Sequence, residues 1–355
     1  MFDFEIMAKM FIDYCVDYLP YLELFIGIPC IIINIYFALR FSQLSIISPN
    51  LRVLLVATNL HSALVGILHP ITKFIPEDSY SIAKGNVAGA FLFYAVVIVN
   101  YVSVFVLDLK FIMILAERRL AFNHRSEYEH RGSTEGIQML LFGISLGLIA
   151  VMLRILCILF TSDSNIPVDQ LLRTIFKFEQ SLLFFITVHI PPLVSSVVGI
   201  YEHVRLKRLT KLWKYRGQTL SESFQIRQTA EIVHVLAPLL YVFVTLTCCS
   251  IVSYSLLVYI HYFAGYAVES PLYVAISNFD WLCASSYTFF STVLMMHRFE
   301  ALRRVIHQDF CRIFSFQYSS ERVGVNEVSK KQATDEHFEY LNSIWKVERP
   351  LTARV

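Results

Sequence analysis

Seven runs of roughly twenty or more mostly apolar residues recur along the chain, parted by short segments where Pro, polar residues or charges gather. They cover approximately Tyr21 to Leu39, Leu51 to Ile71, Val87 to Leu115, Ile137 to Phe160, Ser181 to Ile200, Ile232 to Leu257 and Leu272 to Met296. A helix rising about 1.5 Å per residue needs roughly 20 residues to cross a hydrocarbon layer about 30 Å thick. Each run is therefore predicted to be a membrane-crossing helix. After the seventh, HRFEALRRVIHQDFCRIF sets Phe299, Leu302, Ile306, Phe310 and Ile313 at helical spacing, with Arg303, Arg304 and Arg312 among the polar positions. That pattern predicts an amphipathic helix on the inner membrane surface. The expected layout is an outer N-terminus over 1–20, a bundle over 21–296, the amphipathic helix over 297–316 and a polar tail over 317–355 with the composition of a disordered segment.

Composition agrees with this reading: 56% of the 355 residues are hydrophobic, 16% are charged, and the mean hydropathy is +0.56. Soluble domains carry far more charge. The fold class expected is an all-α membrane protein, a seven-transmembrane helix bundle. Its orientation follows from the basic residues, because cytoplasmic loops carry the excess of Lys and Arg. One set of loops holds Arg118, Arg119, Arg125, Arg205, Lys207, Arg208, Lys211 and more, whereas the other holds few basic residues beside Asp78, Asp163 and Asp169. An odd number of spans then leaves the N-terminus outside and the C-terminus inside. The first residues lack the basic region and cleavage site of a removable signal, so the first apolar helix is expected to remain as a signal anchor. A net charge of +2 gives no field to attract nucleic acid. The seven cysteines follow neither a zinc nor a disulfide spacing, and no metal or cofactor is expected. Cys311, on the amphipathic helix, is either a palmitoylation site or an ordinary free thiol.

Glu117 and Arg118 stand at the inner end of the third span. They are either a charged helix end that marks the interface or a switch, in which a carboxylate holds the arginine at rest and frees it when helices part. The third inner loop, YEHVRLKRLTKLWKYRGQTLSESF, offers Lys207, Arg208 and Lys211 either to a partner and anionic lipid or only to topology. Two blocks carry a resemblance. Glu117, Arg118 and Ala121 followed by Tyr128 and Glu129 resemble the start of the second inner loop in nematode serpentine chemoreceptors of the Sra superfamily, and LSESFQ (220–225) resembles the block before their sixth helix. Length and layout are most similar to class e members, with departures at Ser223, Gln228 and Thr229. The resemblance implies a G-protein-coupled chemosensory receptor for a small-molecule ligand, set in the plasma membrane of sensory neurons or their cilia, with a heterotrimeric G protein and lipid as partners. Signatures of rhodopsin-like receptors are absent, and no cysteine is placed to tie the third helix to the second outer loop.

Ionisable groups inside spans are costly and mark candidates for function. Asp108 lies about 15 Å deeper than Arg118 by helical rise, and Asp280 sits at similar depth from the outer end of the seventh span, beside Asn278. With Asn100 these are expected to form an intramembrane polar network, structural or ion-binding. Lys110 is expected to snorkel inward and Arg154 outward. A ligand lodged between the outer helix halves would meet Phe91, Tyr94, His189, Tyr254, Tyr273 and Asp280. The alternative function is a seven-span transporter or channel using Asp108 and Asp280. An enzyme is not expected, since no HExxH, paired catalytic aspartates or nucleophile elbow occurs. A retinal pigment is disfavoured because the seventh run has no Lys for a Schiff base.

Overall fold

The computed structural model describes residues 2–44, 47–125, 127–128, 132–161, 166–176, 182–213, 219–267 and 270–314. The predicted tail and Glu129 lie outside the described residues. Apart from Ser181, which lies outside the described residues, each apolar run falls within a longer helix: α1 (Phe2–Gln43), α2 (Pro49–Phe74), α3 (Val87–Asn123), α4 (Thr134–Thr161), α6 (Leu182–Trp213), α7 (Leu220–Tyr262) and α8 (Pro271–Arg298). Two short elements sit at the outer end, a 3₁₀ turn η1 (Glu77–Tyr80) between α2 and α3 and a helix α5 (Val168–Phe176) between α4 and α6. A last helix, α9 (Glu300–Phe314), covers most of the predicted amphipathic stretch. No strand occurs among the described residues.

Helix starts follow local chemistry. Pro49 and Pro271 occupy the first turns of α2 and α8, where a missing N–H costs nothing. Thr219 caps α7, its hydroxyl accepting from the Glu222 amide at 3.2 Å. The third inner loop is largely helix: α6 runs on to Trp213, so the basic stretch extends the fifth span by several turns.

Among the described residues, α1, α2, α3, α4 and α7 each contain a stretch long and apolar enough to cross a membrane. α8 is more polar, and it buries Ser277, Asn278, Ser285 and Thr288. α3 is central, packing against α2, α4, α6 and α7, while α1 packs against α2 and α8. The distribution of polarity is that of a bundle in lipid. Asn34, Asn50, Asn59 and Ser195 are buried, whereas Leu141, Phe142, Leu148 and Ile149 of α4 are exposed. Lipid accepts such an apolar exterior, and the helices satisfy their own backbone groups. Close approach is made by small residues. A Cβ on Gly27 of α1 would lie 2.2 Å from the Gly66 carbonyl oxygen of α2, and one on Gly136 of α4 would lie 2.6 Å from the Asn50 oxygen.

Candidate functional site

Neighbouring residues on a helix diverge and do not normally face one another. Glu117 and Arg118 nevertheless close on each other, Arg118 Nε and Nη2 donating to the two carboxylate oxygens, and both side chains are fully buried. A buried ion pair is tolerable only when its remaining donors and acceptors are satisfied. Here they are. Ser48, just before α2, accepts from Arg118 Nη2 at 2.6 Å and donates to Glu117 Oε1 at 3.0 Å. The Tyr128 hydroxyl donates to the same oxygen at 2.6 Å. Across the bundle, Arg118 Nη1 donates to Gln228 Oε1 of α7 at 2.7 Å.

A second layer fixes the first. Asn50 Nδ2 donates to the Tyr128 oxygen at 3.0 Å and to Glu135 Oε2 at 2.9 Å, while its Oδ1 accepts from the Gly136 amide at 2.9 Å. Burial and the neighbouring Glu117 carboxylate push the Tyr128 phenol above its ordinary range, so it stays protonated and remains a donor. The inner end of α3 is thus joined to α2, α4 and α7. Arg125 adds a further tie: its guanidinium lies 4.1 Å over the Trp213 ring of α6, its Nε is 3.6 Å from Glu222, and its carbonyl accepts from Ser221 at 3.2 Å. Arg119 pairs with Glu202 of α6 at 2.8 Å. Lys207, Arg208 and Lys211 remain exposed on the inner extension of α6.

The outer end is differently made. Asp169 of α5 accepts from the Ser81 hydroxyl at 2.6 Å, the Ile82 amide at 2.8 Å and the Ala83 amide at 3.2 Å, and Arg173 pairs with Glu77 at 3.2 Å. The Ser81 hydroxyl, the two amides and Arg173 hold the Asp169 carboxyl below its usual range. Hydrogen bonds thus fasten the second outer loop over the first, and every described cysteine is free. Tyr80 stacks on Phe93 at 3.9 Å, and Tyr94 packs against both and against Phe176 of this lid. Beneath it lies a cavity walled by Val97, Ile98 and Tyr101 of α3 and by Val151, Arg154 and Ile155 of α4, roofed by Ile175 and Phe176.

The residues expected to form a ligand pocket divide. Tyr254 and Tyr273 share a buried cluster with Tyr101 and Val151 of the cavity wall, and His189 meets Tyr254 edge-to-face at 4.1 Å. Tyr94 belongs to the lid cluster, while Phe91 is 78% exposed and turned away from the interior. Arg154, expected to snorkel outward, is buried and lines the cavity wall. Among the described residues, no hydrogen bond joins the residues expected to form an intramembrane network to one another. Asp280 accepts from Ser250 at 3.2 Å, Asn278 accepts from Lys73 at 3.1 Å, the Asn100 Oδ1 has no hydrogen-bond partner among the described residues, and no hydrogen bond joins Asp108 to Asp280. Lys110 lies over the rings of Phe111 and Tyr287 at 5.2 and 4.7 Å. Cys311 is exposed, with its sulfur 3.6 Å from His307 Nδ1.

Sequence reasoning missed a third cluster. Glu23 of α1 is buried and meets His69 at 2.6 Å and Lys73 at 3.0 Å on α2, and it accepts from Ser285 of α8 at 3.0 Å, while Trp281 stacks on His69 at 3.7 Å. A lone acid in the first apolar run, with His and Lys four apart in the second, was the available signal. Ser48 and Gln228 had none, being ordinary polar residues until the fold turns them onto Arg118.

Residues 93–317 match the family model for serpentine type 7TM GPCR receptor class ab chemoreceptors. No curated protein matches the chain. The match agrees with a serpentine chemoreceptor and corrects the class: length and layout had pointed to class e, and class ab is a different one.

Proposed function

The chain belongs to the serpentine-type seven-transmembrane G-protein-coupled class ab chemoreceptor family, and from that premise we propose that the Glu117, Arg118 and Gln228 cluster is its coupling switch. The observation that carries this reading is the hydrogen bond from Arg118 to Gln228, which ties the inner ends of α3 and α7 across the bundle. Arg118 is fully buried, so a G protein can meet it only after α7 has moved away. Exposed Lys207, Arg208 and Lys211 on α6 would then flank the opened cleft. The ligand enters the outer half at the cavity between α3 and α4, a space of about one water that widens to admit it, where an apolar wall accepts its body and Arg154 and Tyr101 orient a polar acceptor group. Ligand-driven rearrangement of α3 and of the Tyr254 side of α7 transmits to the inner end, since both helices run the full depth of the bundle.

The test is recruitment of a panel of G-protein α subunits in intact cells across a small-molecule library, with surface expression measured for each variant. Arg118→Ala should abolish ligand-evoked recruitment. Because this change also strands a buried carboxylate, Gln228→Leu is read beside it and should raise recruitment without ligand. Normal behaviour of both variants, at normal surface levels, would remove the cluster from the coupling mechanism.

A further inference from the structure

The outward face of α1 carries a repeat that the bundle does not use. Met7, Phe11, Tyr14 and Tyr18 are followed by Tyr21, Phe25, Ile28, Ile32, Ile35 and Leu39, with intervals that alternate between four and three residues without a break, and these side chains are 44–72% exposed. This is the a/d pattern of a coiled coil, sustained over more than four heptads. The opposite face of the same helix repeats in the same way: Glu23, Cys30, Asn34, Phe37 and Phe41 are buried against the helices of its own bundle. α1 therefore has two seams, and only one is filled.

Lipid alone could cover the exposed seam within the membrane. It does not account for the outer part. Lys9, Asp13 and Asp17 fall between Met7 and Tyr18, and three charges in nine residues place that turn of helix outside the hydrocarbon layer. Asn278 of α8 lies against the Val16 carbonyl at 3.5 Å, and Ala8, Ile12, Cys15 and Leu19 beside it are half-buried, so the apolar stripe turns away from the bundle, while Lys9, Asp13 and Asp17 stand exposed on a further side. Met7, Phe11, Tyr14 and Tyr18 are left as an apolar stripe in the headgroup layer or in water, with the Tyr14 and Tyr18 rings stacked 4.5 Å apart.

We propose that a second copy of this chain covers the seam, through a parallel α1–α1 contact that runs from the outer extension into the membrane. Two copies inserted in one membrane share an orientation, so their α1 helices are parallel, as a matched a/d seam requires. Ten large side chains, each about half or more exposed, offer on the order of 1,000 Å² per copy, above the roughly 800 Å² per partner of a standard stable interface. Pro20 and Pro29 fall off the seam. The contact needs neither ligand nor G protein, so its test stands apart from that of the coupling switch.

In the full-length receptor with Cys15→Ser, single cysteines are placed on the seam (Phe11→Cys, Tyr14→Cys, Tyr18→Cys) and off it (Lys9→Cys, Asp13→Cys, Val16→Cys), and intact cells are treated with a mild oxidant. Disulfide-linked dimers should form from the first three and be absent from the second three and from the parent. No dimer at any position, or equal dimer at all six, with surface expression confirmed, overturns the proposal; the former would leave the stripe lying in lipid headgroups. As a second reading, Phe11→Glu with Tyr18→Glu should abolish energy transfer between two differently labelled copies at low expression while both reach the surface. Transfer unchanged from wild type would also overturn it.

Discussion

Tyr128 and Gln228 both support the buried ion pair, but from different sides, and that difference predicts different phenotypes. Gln228 reaches Arg118 from α7, across the gap that must open, whereas Tyr128 holds Glu117 from the α2 and α4 side. A hydrogen bond to a charged group contributes about 1.5–3 kcal/mol, which is roughly ten- to hundred-fold in an equilibrium. Gln228→Leu should therefore shift the receptor towards its open form and raise ligand-independent G-protein recruitment by about that factor. Tyr128→Phe removes a donor from a buried carboxylate without freeing α7, so it should lower the melting temperature of the purified receptor by a comparable free energy and leave basal recruitment near wild type. A rise in basal recruitment with Tyr128→Phe equal to that with Gln228→Leu would show that the two bonds are not separable in this way. At this scale the sequence was informative about charge and silent about partners. Glu117 and Arg118 stood out because charge is costly at the end of a span, but nothing in the order of residues says that Ser48, 69 positions earlier, will lie against them.

Helices and their junctions carry the second set of consequences. The outer lid is tied chiefly through one half-buried carboxylate, Asp169, whose pKa is held down first by the Ser81 hydroxyl and then by the Ile82 and Ala83 amides. A group with a depressed folded pKa contributes stability above the free-chain value, about 3.9 for Asp, and loses it as pH falls through the lower folded value. Lid attachment should thus be constant near neutrality and weaken in acid. Amide exchange at Ile82 and Ala83 should speed up relative to the intrinsic rate as pH drops below about 4, and Asp169→Asn should show fast exchange at every pH. At the inner end, Gly136 lets α4 approach α2 closely enough for its amide to bond Asn50. Gly136→Val has no room beside the Asn50 oxygen, and overpacking of this kind costs about 1–3 kcal/mol; reduced surface expression, with a lower melting temperature, is the expected result. The seven spans were legible because hydrocarbon imposes length and apolarity directly on sequence. Their ends were not, since α1, α6 and α7 run well past the apolar runs into charged sequence where hydropathy gives no signal, and α5, whose Val168, Leu171, Leu172, Ile175 and Phe176 do repeat at helical spacing, is at nine residues too short to stand out beside membrane-crossing runs.

For the whole molecule, the proposed function puts ligand recognition and coupling at opposite ends of α3, and this reading requires them to be separable by mutation. Arg154→Gln alters the cavity wall and leaves the inner cluster untouched. It should weaken the response to an activating ligand that carries an acceptor group by about ten-fold or more, as expected for a charged hydrogen bond, without changing basal recruitment. Dose-response curves with unchanged half-maximal concentration would take Arg154 out of the ligand site. Of the residues expected from sequence to meet a ligand, His189, Tyr254 and Tyr273 gathered beside the cavity wall and Phe91 and Asp280 did not, because which side of a helix faces lipid depends on neighbours that an apolar run does not name. The Glu23 cluster has a consequence of another kind, for the order in which the chain is made. Its acid is made with α1, its His69 and Lys73 partners with α2, and its Ser285 and Trp281 cover only with α8. During synthesis α1 and α2 can enter the bilayer as a neutralised pair, but the pair stays open on one flank for some two hundred residues, until α8 arrives to close it. A nascent receptor cut short before α8 would expose that flank within the membrane, where quality control can recognise it.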